Sequence, residues 1–295
     1  MKTVIGLGEV LWDVYPEASY IGGAPANVAL HAGQMGADSI IVSAVGFDID
    51  GDELIRKVQD MRVNSQYIQK NIMYATGKVK VHLDANGHPH FECSEDMAFD
   101  HLVWQNSYLE LAKTCDAVVV GTLVQREKES RMTIQHFLDE AKSALKIFDV
   151  NFRGWPKEID MIIQDTLKKV DVVKMNEEEL NQIRLALGQQ SLSDEAFLSW
   201  LLQEYRIQVA ALTLGSEGCM LVDSKDSVRI AGKAVQVVDS TGCGDAFVAG
   251  MMIKLLEGAS LNETGEFANR VGAFTATKKG AVPKYTINEL FKNEK

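Results

Sequence analysis

The chain has 295 residues, of which 46% are hydrophobic and 24% charged, ordinary proportions for a globular protein. Its formal charge of −11 argues against nucleic acid or an anionic membrane as a partner, because both require a broad basic surface. The four cysteines form no C-x-x-C pair, no apolar run approaches membrane-spanning length, and no signal-peptide cleavage region is present. We therefore expect a cytoplasmic protein with free thiols.

The amino-terminal part alternates between strand and helix patterns. TVIGLG (3–8) and SIIVSAVG (39–46) are predicted as buried strands, and PANVALHAGQMG (25–36) and DGDELIRKVQDM (50–61) as helices. Pro25 in the first turn and Gly36 at the end fit the bounds of the first helix.

A different pattern follows in TGKVKVHLDANGHPHFEC (76–93). Apolar Val79, Val81 and Leu83 alternate with polar residues up to a turn at ANGHP. A period of two predicts an antiparallel hairpin with one wet face. We interpret it as part of a small β-sheet lid, formed by about 11–21 and 75–98 and inserted in one domain that spans 1–295. An apolar lid face also predicts pairing with a second copy, that is, a homodimer.

The second half repeats short apolar strands separated by helical sequence. The predicted strands are DAVVVG (116–121), KIFDVN (146–151), DVVKMN (171–176) and QVAALTLG (208–215). Such strands indicate an α/β fold with three layers, in which a mostly parallel central sheet is covered by helices on both faces. Ligands bind at the carboxyl ends of such strands. Asn151, Arg153, Asn176, Glu179 and Gly215 are predicted there.

The stretch DSTGCGDAF (239–247) lies between KAVQVV (233–238), predicted as a strand, and DAFVAGMMIKLLEG (245–258), predicted as a helix. The first amides of a helix lack partners, and Gly242 and Gly244 would let an anion such as phosphate approach them. Asp245 would then act as the base that accepts a proton from an attacking hydroxyl. The structural alternative is a tight turn followed by an acid that favours the helix dipole.

Several segments together resemble the ribokinase-like, or PfkB-type, carbohydrate kinases. DSTGCGDAFVAG resembles their carboxy-terminal signature and GGAPANVA (22–29) their amino-terminal signature. GFDIDGD (46–52), NEEE (176–179) and TLGSEG (213–218) resemble further family elements, in the family's order. GGAPANVA and DVNFR (149–153) are most similar to the fructokinase branch.

The resemblance implies a role for each matched position. Gly242, Cys243, Gly244 and Asp245 would form the catalytic corner. Asp13, Gly22, Gly23 and Asn27 would bind the sugar, with Arg153 gripping phosphate oxygens. The structural alternative for GGAPAN is a loop that leads into a helix beginning with proline.

ATP would meet a second group of residues, namely Asn176, Thr213, Gly215, Gly218 and Asn269, together with the glycines of the corner. Glu179 would help to place Mg²⁺, and Asp239 would hold K⁺ if the enzyme uses it. Helix capping by NEEE, a capped turn at Asp239 and core packing of the helix around Asn269 are the structural alternatives.

The activity implied is ATP-dependent phosphorylation of the primary hydroxyl of a small sugar, with D-fructose giving fructose 6-phosphate. Ribokinase, 2-keto-3-deoxygluconate kinase and nucleoside kinase are alternatives within the family. A non-catalytic sugar-binding regulator on the same fold is an alternative from another class. A dehydrogenase is disfavoured because GLGEV (6–10) lacks the third glycine of a dinucleotide-binding fingerprint.

Cys243 stands where the family usually has alanine. A thiol at a helix N-terminus is expected to have a lowered pKa, which predicts that Cys243 is more reactive than the other three cysteines. Its oxidation or alkylation would then block the phosphate site.

Overall fold

The structure is a computed structural model that describes residues 1–83, 89–152 and 158–292. The strands are β1 (Thr3–Leu7), β2 (Leu11–Val14), β3 (Ser19–Gly22), β4 (Asp38–Gly46), β5 (Asn64–Asn71), β6 (Lys78–Leu83), β7 (Pro89–Cys93), β8 (Ala117–Val120), β9 (Leu145–Asp149), β10 (Val172–Asn176), β11 (Val209–Thr213), β12 (Gly218–Asp223) and β13 (Ser227–Ala231). The helices are α1 (Ala24–Gln34), α2 (Ile49–Asp60), α3 (Asn106–Thr114), α4 (Lys128–Glu140), α5 (Ile159–Leu167), α6 (Glu177–Ala186), α7 (Asp194–Tyr205), α8 (Cys243–Leu256) and α9 (Leu261–Ala276).

The large sheet has the strand order β13-β12-β11-β10-β9-β8-β1-β4-β5. Pairing is parallel from β11 to β5, and β12 and β13 extend the sheet in antiparallel fashion. The strand order reverses direction around β1, between β8 and β4. In open α/β sheets such a reversal leaves a crevice at the carboxyl ends of the strands, where ligands bind.

Helices cover both faces of this sheet, as the near-continuous apolar strands predicted. On one face Val118, Phe148 and Leu212 belong to a core completed by α3 to α7. On the other face, Val119 and Ile147 belong to a core completed by α1, α8 and α9. The predicted three-layer α/β fold with a mostly parallel central sheet is confirmed.

A second, four-stranded sheet has the order β3-β2-β6-β7. The β6–β7 pair is antiparallel, as predicted for the hairpin, while β2 pairs with β6 in parallel. The predicted turn at ANGHP falls largely outside the described residues. Two contacts tie this sheet to the start of α2: Trp12 Nε1 donates to the Asp50 carbonyl at 3.0 Å, and Lys78 pairs with the Asp50 carboxylate at 2.6 Å. That the sheet acts as a lid stays a prediction.

The predicted strand KAVQVV is wrong. Residues 232–238 form neither strand nor helix, and the Val237 side chain is 63% exposed. The amides of Val238 and Asp239 both donate to the carbonyl of Ala276, at the end of α9, so these amides bond to a helix end instead of a strand. Within the described ranges, no helix has the length and apolar character needed to cross a membrane.

Candidate active site

The corner at the start of α8 depends on the absence of a side chain at Gly242. This residue precedes the helix in the left-handed region with φ 73°, and a Cβ built on it would lie 2.5 Å from the Ala281 carbonyl oxygen. Any other residue would strain the backbone and collide with the 281 segment. Because Gly242 is the N-cap and has no side chain, no N-cap side chain accepts a hydrogen bond from the first amides of α8.

Asp245 lies in the first turn of α8, buried at 9% exposure. Asn27 Nδ2, from the first turn of α1, donates to its Oδ2 at 2.8 Å across a separation of 218 residues. Asn27 is itself buried, and its Oδ1 has no hydrogen-bond partner within the described part of the chain. The two glycine-rich segments of the sequence therefore meet at one point, with an acceptor on Asn27 left over.

Asp13 approaches the same region from the small sheet. It lies in β2 opposite Tyr20 of β3, and its carboxylate occupies the space that a side chain on Gly22 would need. Gly23 follows as the N-cap of α1. The loop after β2 also reaches the corner, because the Tyr15 hydroxyl lies 2.9 Å from Thr241 Oγ1.

A buried ion pair that the sequence did not point out lies behind the corner. Lys174 of β10 and Asp149 of β9 are register partners in the large sheet, and Lys174 Nζ lies 2.9 Å from Asp149 Oδ1. A Cβ on Gly244 would lie 3.2 Å from that ammonium. Burial alone would lower the pKa of Lys174, but the carboxylates of Asp149, Glu179 and Asp245 raise it above its ordinary value. The sequence signal for this pair was a charged residue inside each of the apolar runs KIFDVN and DVVKMN, Asp149 in the first and Lys174 in the second.

Asn176 and Glu179 form a closed capping box at the start of α6. Asn176 Oδ1 accepts from the Glu179 amide and Glu179 Oε2 from the Asn176 amide, both at 2.8 Å. The Phe152 amide donates to Glu179 Oε1 at 3.2 Å. Burial raises the pKa of Glu179, while Lys174 opposes that change. The helix-capping role is thus observed for this segment.

Asp239 is held between two backbone amides. Its Oδ1 accepts from Thr241 and its Oδ2 from Gly280, each at 2.9 Å. In the ranges that the structure describes, no group of three or more His, Cys, Asp and Glu residues is arranged to hold a metal ion. Each carboxylate oxygen of Asp239 and Glu179 still keeps lone-pair capacity, which fits contact to a cation that brings other ligands with it.

The residues predicted to meet ATP lie on β11, β12 and α9. Thr213 ends β11 beside Asn176, its register partner in β10. Gly215 opens a short 3-10 turn over Gly215–Glu217, and Gly218 begins β12. Asn269 Nδ2 lies within 3.4 Å of the carbonyls of Ile230 and Ala231, so its amide links α9 to β13.

The expectation of a low pKa at Cys243 is wrong. Burial raises the pKa of this thiol to about 12, and the carboxylates of Asp245 and Asp239 act in the same direction. The Cys243 amide donates to the Ser240 carbonyl at 3.3 Å. This amide, which lies between those of Gly242 and Gly244, therefore has a backbone acceptor.

The predicted phosphate contact Arg153 lies outside the described residues. Two other arginines that could take that role are engaged elsewhere. Arg126 makes a two-point ion pair with the buried Asp100, at 2.7 and 2.6 Å, and Arg131 pairs with Glu158 at 2.5 Å.

Comparison with known proteins gives consistent matches over nearly the whole chain. A protein of Pyrococcus horikoshii described as a sugar kinase is 31% identical over 290 residues, covering 96% of this chain and 89% of the relative. An ATP-dependent 6-phosphofructokinase of Thermoanaerobacterium thermosaccharolyticum is 28% identical over 279 residues, covering 92% and 82%. Fructokinase-2 of Solanum lycopersicum is 28% identical over 307 residues, covering 95% and 92%.

Solved structures are similar over the same extent. The Pyrococcus horikoshii protein in complex with ATP has a TM-score of 0.82 at 27% identity, covering 99% of this chain and 98% of that one. A Vibrio cholerae fructokinase with bound fructose, ADP and calcium has a TM-score of 0.83 at 25% identity, with the same coverage.

The family described as "pfkB family carbohydrate kinase" matches residues 17–287 of this chain. This range contains both glycine-rich segments, the Lys174–Asp149 pair and the capping box of α6. This match spans well over half of the chain. The family transfers phosphoryl groups to carbohydrates, in accord with the resemblance of the sequence signatures. The chain therefore belongs to the pfkB family of carbohydrate kinases.

Proposed function

We propose that this protein transfers the terminal phosphoryl group of ATP to the primary hydroxyl of a small sugar, converting D-fructose to fructose 6-phosphate. The observation that carries the proposal is the 2.8 Å hydrogen bond from Asn27 to Asp245. It joins the segment proposed to bind sugar to the segment proposed to bind phosphate. A sugar held at Asn27 would therefore have a carboxylate beside it.

The sugar end offers groups suited to hydroxyls. The Asp13 carboxylate accepts hydrogen bonds from hydroxyl groups, and Asn27 Oδ1 adds a buried acceptor without a partner in the described chain. With no side chains, Gly22 and Gly23 let a ligand approach the backbone. These four residues are the proposed sugar contacts, and Arg153 remains a proposed phosphate contact.

The reaction needs one proton acceptor and one anion site. Asp245 takes the proton of the primary hydroxyl as that oxygen attacks the terminal phosphorus, and ADP leaves with the bridging oxygen. Amides of Gly242 and Gly244, and of Cys243 once released from Ser240, stabilise the charge on the transferred group. Asn27 orients the carboxylate of Asp245 toward the hydroxyl.

ATP is proposed to lie along the carboxyl ends of β10 and β11 and the start of β12. Thr213, Gly215, Gly218 and Asn269 are its proposed contacts, with Asn176 near the phosphates.

Two cations belong to the proposed site. When bound with ATP, Mg²⁺ supplies positive charge to the phosphate oxygens, and Glu179 would contact it through water. Asp239 is the proposed carboxylate of a K⁺ site.

The small sheet is proposed to act as a lid over the sugar and to pair with the small sheet of a second copy in a homodimer. The proposed location of the protein is the cytoplasm.

The identity of the sugar is the finer part of the proposal. Fructose is favoured by the sequences of the segments GGAPANVA and DVNFR and by overall similarity to fructokinases, although a 6-phosphofructokinase is equally similar. Ribose, 2-keto-3-deoxygluconate and nucleosides are the alternative substrates. A non-catalytic sugar-binding regulator is the alternative from another class, and the buried Asp245 argues against it.

The direct test is a coupled assay of ADP production from MgATP with fructose, ribose, 2-keto-3-deoxygluconate, fructose 6-phosphate and a nucleoside. We expect the highest kcat/KM for fructose. Preference for another sugar would correct the substrate and keep the chemistry. Sugar binding by calorimetry without ATP turnover on any of them would favour the regulator.

A further inference from the structure

A buried cation lies directly behind the proposed phosphate corner. Lys174 is 5% exposed, although lysine is rarely buried to this extent. Its ammonium lies 3.2 Å from the position that a Gly244 Cβ would take. The missing side chain at Gly244 therefore leaves the room in which a positive charge comes close to the first turn of α8.

Pairing with Asp149 does not account for this placement by itself. Lys174 contacts Asp149 Oδ1 at 2.9 Å, whereas Asp149 Oδ2 is buried with no hydrogen-bond partner in the described part of the chain. A buried ion pair is often replaceable by apolar side chains without loss of stability, so its presence is weak evidence of a structural need. A pair that leaves one carboxylate oxygen unsatisfied is weaker evidence still.

The surrounding charge gives Lys174 a different task. The buried carboxylates of Asp149, Glu179 and Asp245 all act on its ammonium, so negative charge already exceeds positive charge among these four side chains. The phosphates of ATP bring more negative charge to the same corner. In a poorly solvated site, a fixed cation lowers the cost of that approach far more than it would in water.

We propose that Lys174 is a positioning residue for phosphoryl transfer: held by Asp149, its ammonium compensates the charge that MgATP brings next to Asp245 through the backbone at Gly244. This inference rests on the proposed function. It adds an electrostatic residue on β10 to the amides of α8. Asp149 has the supporting role of holding the ammonium in place.

The test compares two folded variants that share one change. Asp149→Asn removes the carboxylate but keeps the cation, and Asp149→Asn with Lys174→Met removes both charges, so neither variant leaves a buried carboxylate of Asp149 without its partner. Unfolding midpoints verify that both are folded. Relative to the single variant, we expect the double variant to lose about 100-fold in kcat and about tenfold in MgATP affinity, with fructose affinity changed less than about threefold.

Lys169→Met is the control, because Lys169 also pairs with an aspartate, Asp139 at 2.8 Å, but at the surface. It should leave all three quantities unchanged. Equal kcat and equal MgATP affinity in the single and double variants would overturn the proposal, as would a parallel loss of fructose affinity, which indicates general distortion. Calorimetric MgATP affinity needs no sugar turnover. A wild-type protein that phosphorylates no sugar, with weaker MgATP binding in the double variant, would refute the proposed function and retain only the compensation of MgATP charge by Lys174.

Discussion

Two helices begin at the same end of the sheet, and their first turns are completed in opposite ways. In α6 the N-cap is Asn176 and the third helical residue is Glu179, and each side chain accepts from the backbone amide of the other. In α8 the N-cap is Gly242, and the third residue, Asp245, is held by Asn27 from α1. The same position in a helix therefore carries an acid in both cases, with different partners.

The comparison teaches what separates a structural helix start from a binding one. At α6 the sequence supplies the hydrogen bonds that the first amides need, so this start is closed. At α8 glycine supplies no capping group, and the acid is oriented by another helix. An open helix start attracts anions, because its unsatisfied amides and the helix dipole act together. Five kinds of experiment test this contrast.

Filling the open start should have the largest effect on stability. Gly242→Ala places a Cβ in a left-handed conformation and against the backbone of Ala281, so we expect the free energy of unfolding to fall by about 3 kcal/mol. Gly188→Ala is the matched control, because Gly188 has φ 69° and a Cβ added there would meet nothing within 4 Å. It should cost about 1 kcal/mol. Equal losses of unfolding free energy in the two variants, measured by denaturant titration, would show that the backbone of Ala281 moves aside without an energetic cost.

Opening the closed start should cost less. Glu179→Ala removes acceptors for the amides of Asn176 and Phe152 in a buried setting, so we expect a loss of about 2 kcal/mol. Glu263 completes a similar capping box with Ser260 on the exposed start of α9, and Glu263→Ala should cost less. Titrating activity with Mg²⁺ then sharpens the comparison. If Glu179→Ala needs a higher Mg²⁺ concentration for half-maximal activity and Glu263→Ala does not, the proposed contact of Glu179 with Mg²⁺ through water is supported. An unchanged Mg²⁺ concentration in Glu179→Ala would show that Glu179 acts only as a helix cap.

The stability of the segment that packs against Gly242 should depend on pH through His31. His31 lies buried in α1 with Nε2 3.0 Å from the Ala281 carbonyl and Nδ1 3.0 Å from the Tyr285 hydroxyl. Burial lowers its pKa from 6.5 to about 4. Because the unfolded chain binds the proton more tightly, this group's contribution is complete above about pH 6.5 and is lost as the pH falls toward 4.

We therefore expect His31 to account for about 2 kcal/mol of stability lost between about pH 7.5 and 5. His31→Gln, measured by denaturant unfolding at both pH values, should lack that part of the pH dependence. An identical pH dependence in wild type and variant would contradict the assignment of this titration to His31.

Changing the thiol inside the open start should have the smallest effect. The pKa of Cys243 is raised to about 12, so little thiolate exists near neutral pH. Cys243→Ala should change the free energy of unfolding by no more than about 0.5 kcal/mol and leave turnover nearly unchanged. Mass spectrometry after treatment with iodoacetamide should find Cys243 modified no faster than Cys93. Rapid, selective modification of Cys243 would contradict the buried, protonated thiol.

Local sequence patterns predicted the parts of the fold that depend on local physics. The strands of the parallel sheet, the bounds of α1 and the first turn of α6 follow from apolar runs, glycine and proline positions and the Asn-x-x-Glu spacing. The failed strand prediction concerns a neighbour distant in sequence. KAVQVV has an apolar alternation suited to a strand, but its last amide bonds to the end of α9.

The candidate site divides in the same way. The open corner was visible as two glycines before an acid, whereas the Asn27–Asp245 bond joins residues 218 apart and becomes visible only in the fold. Lys174 and Asp149 looked like interruptions of two strands, and their meeting depends on register. The pKa of Cys243 was mispredicted because helix position was considered without burial or the two nearby carboxylates.

The central claim is that the acid at the open helix start is the base for sugar phosphorylation. Its most direct test is the turnover of Asp245→Asn, with MgATP and fructose affinities measured by calorimetry and the exposed Asp226→Asn as the control. We predict a fall in kcat of about 1000-fold, with both affinities within about threefold of wild type. Turnover close to that of the wild type would contradict the claim.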